Sequence, residues 1–366
     1  MKSDPLLFLL SPHVTSPLIA EALRTRRQSG IGLWRQFWQI CYLRFGPCKL
    51  DPWEYFFFRV FLNRYLPDEK RRFIGWRREI RLDRLANARD ARNPANDKLA
   101  FHTLLDKHDV PLPKILAVYG NVGPQIPGTT VLNDPDSAAT FLRTTDRYPL
   151  FVKPVRGTQG RDTYALHGLV NGDLRLATDQ RLGLTSFIQQ LNPVRKGGVL
   201  FQELLHTSPN LETVCGLRLT SVRLIIIVTP AGPEILSAVW RIPTGTNVTD
   251  NFNCGRTGNI IAGIELATGR IQRIMRGVGW ENIPVSRHPD TGIAFDDLHL
   301  PNWKTACELC LDAATLFPDL RLQHWDIALT DRGPVALEVN VEGGMRTHQI
   351  VQQRGLYGAR LQELCE

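Results

Sequence analysis

The segment Gln323-His324-Trp325-Asp326-Ile327-Ala328-Leu329-Thr330-Asp331-Arg332-Gly333-Pro334-Val335-Ala336-Leu337-Glu338-Val339-Asn340 decides how this chain is read. Residues 325–329 and 335–341 are short apolar runs, and Asp331-Arg332-Gly333 between them has turn chemistry, so the segment predicts a β-hairpin. Side chains alternate along a strand, so Glu338 and Asn340 share a face, and Asp326 reaches that face from across the hairpin. Two carboxylates and an amide oxygen at one spot make the hard-oxygen donor set that Mg2+ prefers, with room for water and phosphate oxygens. The bland alternative is a surface hairpin with a charged rim. Strands this apolar rarely gather Asp, Glu and Asn on one face without a partner.

Upstream, Phe151-Val152-Lys153-Pro154-Val155-Arg156-Gly157-Thr158-Gln159-Gly160 runs from a predicted strand into a glycine loop, with a return strand at Tyr164-Ala165-Leu166. A strand lysine beside exposed loop amides suits a polyphosphate, with a point charge on one side and N–H groups on the other. No Gly-Lys-Ser/Thr ends the loop, so it is not a Walker motif.

In this order the elements resemble the ATP-grasp superfamily: strand lysine, glycine loop, Gln202-Glu203, the arginine strand Ser221-Val222-Arg223-Leu224-Ile225-Ile226-Ile227, then the Asp…Glu-x-Asn hairpin. Asn96-Asp97-Lys98, Trp240-Arg241-Ile242-Pro243-Thr244-Gly245, Asp250-Asn251-Phe252-Asn253-Cys254-Gly255 and His288-Pro289-Asp290-Thr291-Gly292 resemble the branch called sugar-transfer-associated ATP-grasp proteins. The resemblance covers about residues 96–350. It implies an α+β fold in which two α+β lobes clasp ATP, here with a helical N-terminal region. The first lobe would span about 96–200 and the second about 201–366, with residues 1–95 a basic, aromatic accessory region.

It also implies roles. Lys98 and Lys153 would contact the ATP phosphates, and Gly157, Thr158, Gln159 and Gly160 would close over them. Gln202 and Glu203 would hold adenine, and Asn210 or Glu212 the ribose. Asp326, Glu338 and Asn340 would hold one or two Mg2+ ions. Arg223, Arg241 and Arg256 are the candidate catalytic cations, while His324, His348 and Arg346 are candidate substrate contacts. Two departures from the family pattern fall where substrate would bind. Val341-Glu342-Gly343-Gly344 stands where many relatives have a Pro-Gly turn, and Cys254-Gly255-Arg256 where they often have paired glycines.

Composition sets the outer bounds. A chain of 366 residues with 43% hydrophobic content can bury one large core or two to three smaller ones. No run approaches the roughly 18 uncharged apolar residues of a spanning helix. The opening Pro5-Leu6-Leu7-Phe8-Leu9-Leu10 follows Asp4 and lacks a small-residue cleavage site, which argues against a signal peptide. Seven cysteines without even spacing argue against a disulfide framework, and Cys307-x-x-Cys310 falls in a helical pattern, where packing explains it. A reducing, ATP-containing cytoplasm, with peripheral membrane association, is the expected location. Through residue 100 there are 19 Lys and Arg against 10 Asp and Glu, whereas the rest of the chain holds 25 against 26. The basic excess is thus confined to the amino-terminal quarter, interleaved with aromatics such as Trp34, Phe37, Trp38, Phe45 and Trp53. Those aromatics either pack on the catalytic lobes or dock on anionic lipid or an acidic partner; no nucleic acid is expected.

Periodicity predicts helices over 18–45, 52–90, 97–108, 137–144, 185–191 and 301–317. Strands are predicted over 114–119, 199–205, 219–228 and 234–241, with loops over 121–136 and 248–258. The function expected is an ATP-dependent ligase that activates a substrate carboxylate as an acyl phosphate for attack by an amine, in polysaccharide or glycoconjugate biosynthesis. Its partners would be small-molecule carboxylates and nucleophiles, some sugar-linked. An ATP-grasp kinase, a membrane-docking module with a degenerate nucleotide fold and a non-catalytic ATP sensor are the alternatives.

Overall fold

The computed structural model describes residues 15–120, 126–157, 160, 162–278 and 282–364. Thr158 and Gln159 of the glycine loop, and the opening apolar run, lie outside the described residues. The first predicted helix is two, α1 (Thr15–Ser29) and α2 (Leu33–Phe45). Gly30 lies between them at φ +73°, a left-handed conformation that glycine adopts at no steric cost. The second predicted helix is three: α3 (Pro52–Phe57), α4 (Pro67–Arg71) and α5 (Trp76–Ala86). Pro52 and Pro67 each open a helix, where a missing N–H costs nothing. Continuous periodicity concealed these breaks because Tyr55, Phe56, Phe57, Phe58, Phe61 and Phe73 all turn into one core. Val239, Ile261 and Val351 share that core, so the helical region packs directly on the carboxy-terminal half.

Helices α6 (Asn93–Asn96) and α7 (Lys98–Asp106) bury Ala95, Phe101 and Leu105 in one core with Trp240, Phe317 and Trp325 of the second lobe. The first lobe contains β1 (Ile115–Tyr119), β2 (Thr130–Leu132), α8 (Pro135–Thr144) and β3 (Leu150–Pro154). It continues through β4 (Tyr164–Val170), β5 (Asp173–Leu176), β6 (Arg181–Gly183), α9 (Leu184–Leu191), α10 (Pro193–Lys196) and β7 (Val199–Glu203). The strands form a seven-stranded sheet in the order β2-β1-β7-β3-β4-β5-β6. Ala138 and Leu142 of α8 and Phe187, Ile188 and Leu191 of α9 pack on Leu150, Val152 and Phe201. Since β7 lies inside this sheet between β1 and β3, Gln202 and Glu203 end an interior strand.

The second lobe contains α11 (Pro209–Cys215), β8 (Ser221–Thr229), β9 (Gly232–Ile242), β10 (Ile260–Ile264), β11 (Ile271–Arg276) and β12 (Ile283–Pro284). After these come α12 (Trp303–Ala314), β13 (Leu322–Thr330), β14 (Gly333–Asn340), α13 (Met345–Gln352) and α14 (Ala359–Glu363). Its seven-stranded sheet runs β12-β11-β10-β9-β8-β13-β14. One face lies under α12, whose Trp303, Ala306, Cys310, Ala313 and Ala314 are buried against Trp240 and Trp325. The other face meets Ile74 and Leu82 from the α5 region and Met345 of α13, packed on Ile225, Ile227 and Leu322. Every residue of β13 is buried, which explains an apolar strand that bears one carboxylate. Each large apolar side chain buried there contributes about 1.5–3 kcal/mol. Among the described residues no helix is long and apolar enough to cross a membrane.

Candidate active site

Strand register lines up three charges. Arg223 of β8 faces Asp326 of β13, and Asp326 faces Glu338 of β14, with a register shift just after Asp326. Facing residues in antiparallel strands share one side of the sheet. Arg223 Nε and Nη2 donate to Asp326 Oδ1 and Oδ2 at 2.7 and 2.6 Å, a bidentate pair. Arg241 of β9 reaches Asp326 Oδ2 at 3.0 Å and Asp250 Oδ1 at 3.4 Å, and it donates to Ser221 Oγ at 2.7 Å. Burial alone would raise the Asp326 carboxyl, but Arg223 and Arg241 outweigh it and hold the group well below the usual carboxylate range. Burial likewise opposes the Arg223 charge, and Asp326 more than restores it. Burial pushes Asp250 up, with Arg241 opposing. The sequence motif contained Asp250 without a role; it is the second carboxylate of this network and is partly exposed.

Glu338 and Asn340 sit at the margin of this row, half-buried, with Asn340 Nδ2 donating to Glu338 Oε1 at 3.1 Å. Among the described residues no group of three or more His, Cys, Asp or Glu side chains is disposed for a metal, so a cation here would need the Asn340 amide oxygen. A carboxylate offers about four acceptor positions, and three on Asp326 already take guanidinium donors. Glu338 makes no ion pair among the described residues and is the candidate ligand least committed elsewhere. The all-oxygen set fits a hard divalent cation.

Across from the hairpin, Lys153 is half-buried near the end of β3. Burial pulls its ammonium down to about 8, the Lys98 charge pushes the same way, and Glu338 opposes. Lys153 therefore stands within electrostatic reach of both the other candidate phosphate lysine and the hairpin of the opposite lobe. Lys98 opens α7 behind the N-cap Asp97, which accepts from Leu99 N and Ala100 N. Its Nζ donates to Gly157 O at 2.9 Å and so tethers the glycine loop. At Gly160, φ is +65° and a Cβ would lie 3.2 Å from Thr249 Oγ1, so this loop approaches the 243–259 segment of the second lobe.

Gln202 is buried in β7, facing Ile115 and Phe151. Glu203 Oε1 accepts from Lys114 N at 2.7 Å, and Arg332 from the hairpin turn donates from Nη1 to Glu203 Oε2 at 3.1 Å. This pair ties β7 of the first sheet to the turn of the second-lobe hairpin. Asn210 and Glu212 are exposed on α11, and neither side chain makes a hydrogen bond or ion pair among the described residues. Arg256 is exposed, and its charge bears on Cys254.

Helix α5 supplies what the sequence reading missed. Asp83 Oδ1 meets His324 Nε2 at 3.3 Å, and Asp83 Oδ2 accepts from Gly343 N at 2.9 Å. Glu79 Oε1 accepts from Met345 N at 2.7 Å, and Glu79 Oε2 pairs with Arg346 at 3.3 Å. Asn87 Nδ2 donates to Leu322 O and Val341 O. The spacing of 79, 83 and 87 is one helical face, a signal that could have been read. These groups pin the turn after Asn340. There Gly344 has φ +129°, and a Cβ would lie 3.3 Å from His324 Nδ1 and 3.4 Å from Arg223 Cδ. His324 and His348 are fully buried, on Asp83 and on Ser237 Oγ at 2.7 Å. That corrects the expectation that they touch substrate: they pack beneath the row. Burial drives His348 well below its ordinary value.

The family described as sugar-transfer-associated ATP-grasp matches residues 77–366, starting inside α5. No curated protein sequence matches. Among solved structures, D-alanyl-alanine synthetase A from Vibrio cholerae is 15% identical at a TM-score of 0.43, over 76% of this chain and 65% of that one. N5-carboxyaminoimidazole synthase from Aspergillus clavatus, in complex with ADP and 5-aminoimidazole ribonucleotide, is 10% identical at 0.41, over 76% and 54%. Biotin carboxylase from Campylobacter jejuni is 10% identical at 0.45, over 76% and 47%. The chain thus spans about half to two thirds of these longer proteins.

Proposed function

Because this chain belongs to the sugar-transfer-associated ATP-grasp family, we propose that it is an ATP-dependent ligase joining a carboxylate to an amine. The observation that carries this reading is the pairing of unlike halves across one cleft. Lys153 brings positive charge from the first lobe beside Lys98, and the second lobe brings Glu338 and Asn340 beside Arg223 and Arg241. Phosphoryl transfer depends chiefly on positioning and charge neutralisation, which this set can supply.

In this reading Lys153 holds the ATP phosphates, and Lys98 keeps the glycine loop in place over them. Gln202 and Glu203 frame the adenine at the hinge. Asp326, Glu338 and Asn340 would hold Mg2+, which neutralises charge on the phosphates. A substrate carboxylate oxygen attacks the γ-phosphorus, and the bond to the bridging oxygen breaks to release ADP. Arg223, held in orientation by Asp326, faces the charge that develops. An amine then attacks the acyl carbon, phosphate leaves, and the amine nitrogen loses a proton. Sugar acids and amino sugars are the substrate classes to try first, in glycoconjugate or polysaccharide synthesis in an ATP-containing cytoplasm.

The test is Mg-ATP-dependent phosphate release across pairs of carboxylates and amines. A productive pair should release ADP and phosphate together with an amide, and Glu338→Ala should abolish this while the far-UV circular dichroism stays unchanged. ADP with a stable phosphorylated substrate would identify a kinase instead. ATP binding without turnover on any pair would leave a nucleotide sensor.

A further inference from the structure

Helix α2 is inside out. Its buried residues are Gln36 and Leu43, and Gln36 Nε2 bonds to Ala22 O and Ile31 O at 3.1 and 2.8 Å. Its outward face carries Trp34, Phe37, Trp38, Tyr42 and Phe45, with Trp34 71% and Phe45 79% exposed. A water-facing helix normally shows the reverse pattern. The rings form one patch. Trp34 stacks on Phe37 at 5.8 Å and meets Trp38 edge-on at 5.7 Å. By contrast, the aromatics after residue 50 form the interior of the N-terminal core, so the bland packing reading accounts for them and not for α2.

Two further observations specify what covers the patch. From residue 15 to 49 the only acid is Glu21, against Arg24, Arg26, Arg27, Arg35, Arg44 and Lys49. Arg26 and Arg27 are exposed and make no ion pair among the described residues. At the flank of the patch lies a pocket of about 370 Å³, bounded by Arg35, Gln39, Tyr42, Asn63, Tyr65 and Lys70, with no carboxylate in its lining. Lys70 is only 8% exposed and has no ion-pair partner among the described residues. Burial, and Arg35 beside it, pull its ammonium below the ordinary value. A buried lysine next to an arginine, with no acid, is a place for an anion.

We propose that the outward face of α2 seats this protein on an anionic phospholipid surface, with its aromatics in the headgroup layer and a lipid phosphate in the pocket between Arg35 and Lys70. Tryptophan and tyrosine favour that layer, and basic residues beside it add attraction to anionic lipid. A second copy of the chain is the poorer occupant, since a two-fold pair would set this basic face against itself.

The test is co-sedimentation of the full chain with phosphatidylcholine vesicles, and with vesicles in which phosphatidylglycerol replaces part of that lipid, at low and high salt. Binding should require phosphatidylglycerol and weaken with salt. Trp34→Ala with Trp38→Ala should lower partitioning at least about tenfold. Lys70→Met should lower it about fivefold, the equivalent of about 1 kcal/mol for a basic group at an anionic surface. Arg35→Met, at an exposed site, should match it should Lys70→Met fail to fold. Equal binding to both vesicles, or no binding, overturns the proposal. So does Lys70-dependent binding of free glycerol phosphate without vesicle binding, or self-association that Trp34→Ala with Trp38→Ala removes.

Discussion

The two lobes solve opposite electrostatic problems. On the second lobe, buried Arg241 and Asp326 join the partly exposed Arg223 and Asp250 in a network whose charges answer one another before any ligand arrives. On the side of the first sheet, burial and then the Lys98 charge depress Lys153, and Glu338 of the second lobe opposes them. One side is therefore a preformed scaffold, and the other is short of an anion. Buried pairs are costly to break singly, whereas a cation held short of partners gains most when phosphate binds.

Breaking the scaffold should give the largest effect. Asp326→Ala leaves buried Arg241 and the largely enclosed Arg223 short of a carboxylate and should cost about 3–5 kcal/mol in urea unfolding. Adding Arg223→Met should recover much of that loss; if it does not, the row is not a coupled unit. The folded pKa of Asp326 lies below its unfolded value, so its stabilisation is present above about pH 4 and is lost as the pH falls further.

The first-lobe side should respond through ligand. Lys153→Ala should cut ATP turnover by about 10²–10³-fold, roughly 3–4 kcal/mol, with no loss of stability at neutral pH, since it also removes a buried ammonium. Lys153→Arg should not restore it, because a planar guanidinium differs in reach from an ammonium point charge. With a folded pKa near 8 against an ordinary 10.5, Lys153 detracts from stability below pH 8, and that cost is relieved as the pH rises from 8 toward 10.5. ATP affinity, measured by calorimetry, should fall over the same rise as the ammonium is lost. A pH-independent affinity in that range would remove Lys153 from the phosphate site.

Smaller effects sharpen the boundary between the two sides. Gly344→Ala should cost about 1–3 kcal/mol, since it combines a left-handed strain with pressure on Arg223. Its kcat should fall further than its ATP affinity if Arg223 faces the reacting group. Glu203→Ala breaks an exposed pair with Arg332 and should cost under about 1 kcal/mol in stability. It should change ATP affinity more than unfolding, because its place is the hinge.

Local patterns in the chain determined the hairpin, the lysine strand, the arginine strand and their order. Alternation in short apolar runs fixes which residues share a face, and turn residues fix where the chain reverses. Thus the facing of Asp326 and Glu338 was legible, and so was membership of a two-lobed ATP-grasp fold. Tertiary structure alone decided the rest. That Asp326 is shared by two arginines depends on β8 pairing with β13 across about a hundred residues. That Glu79 and Asp83 pin the turn at 343–346 depends on a still longer reach. The aromatic quarter shows the limit most plainly. Its helices share one composition, but the α3 rings are buried and the α2 rings face outward, because burial follows from what packs nearby and not from the residue itself.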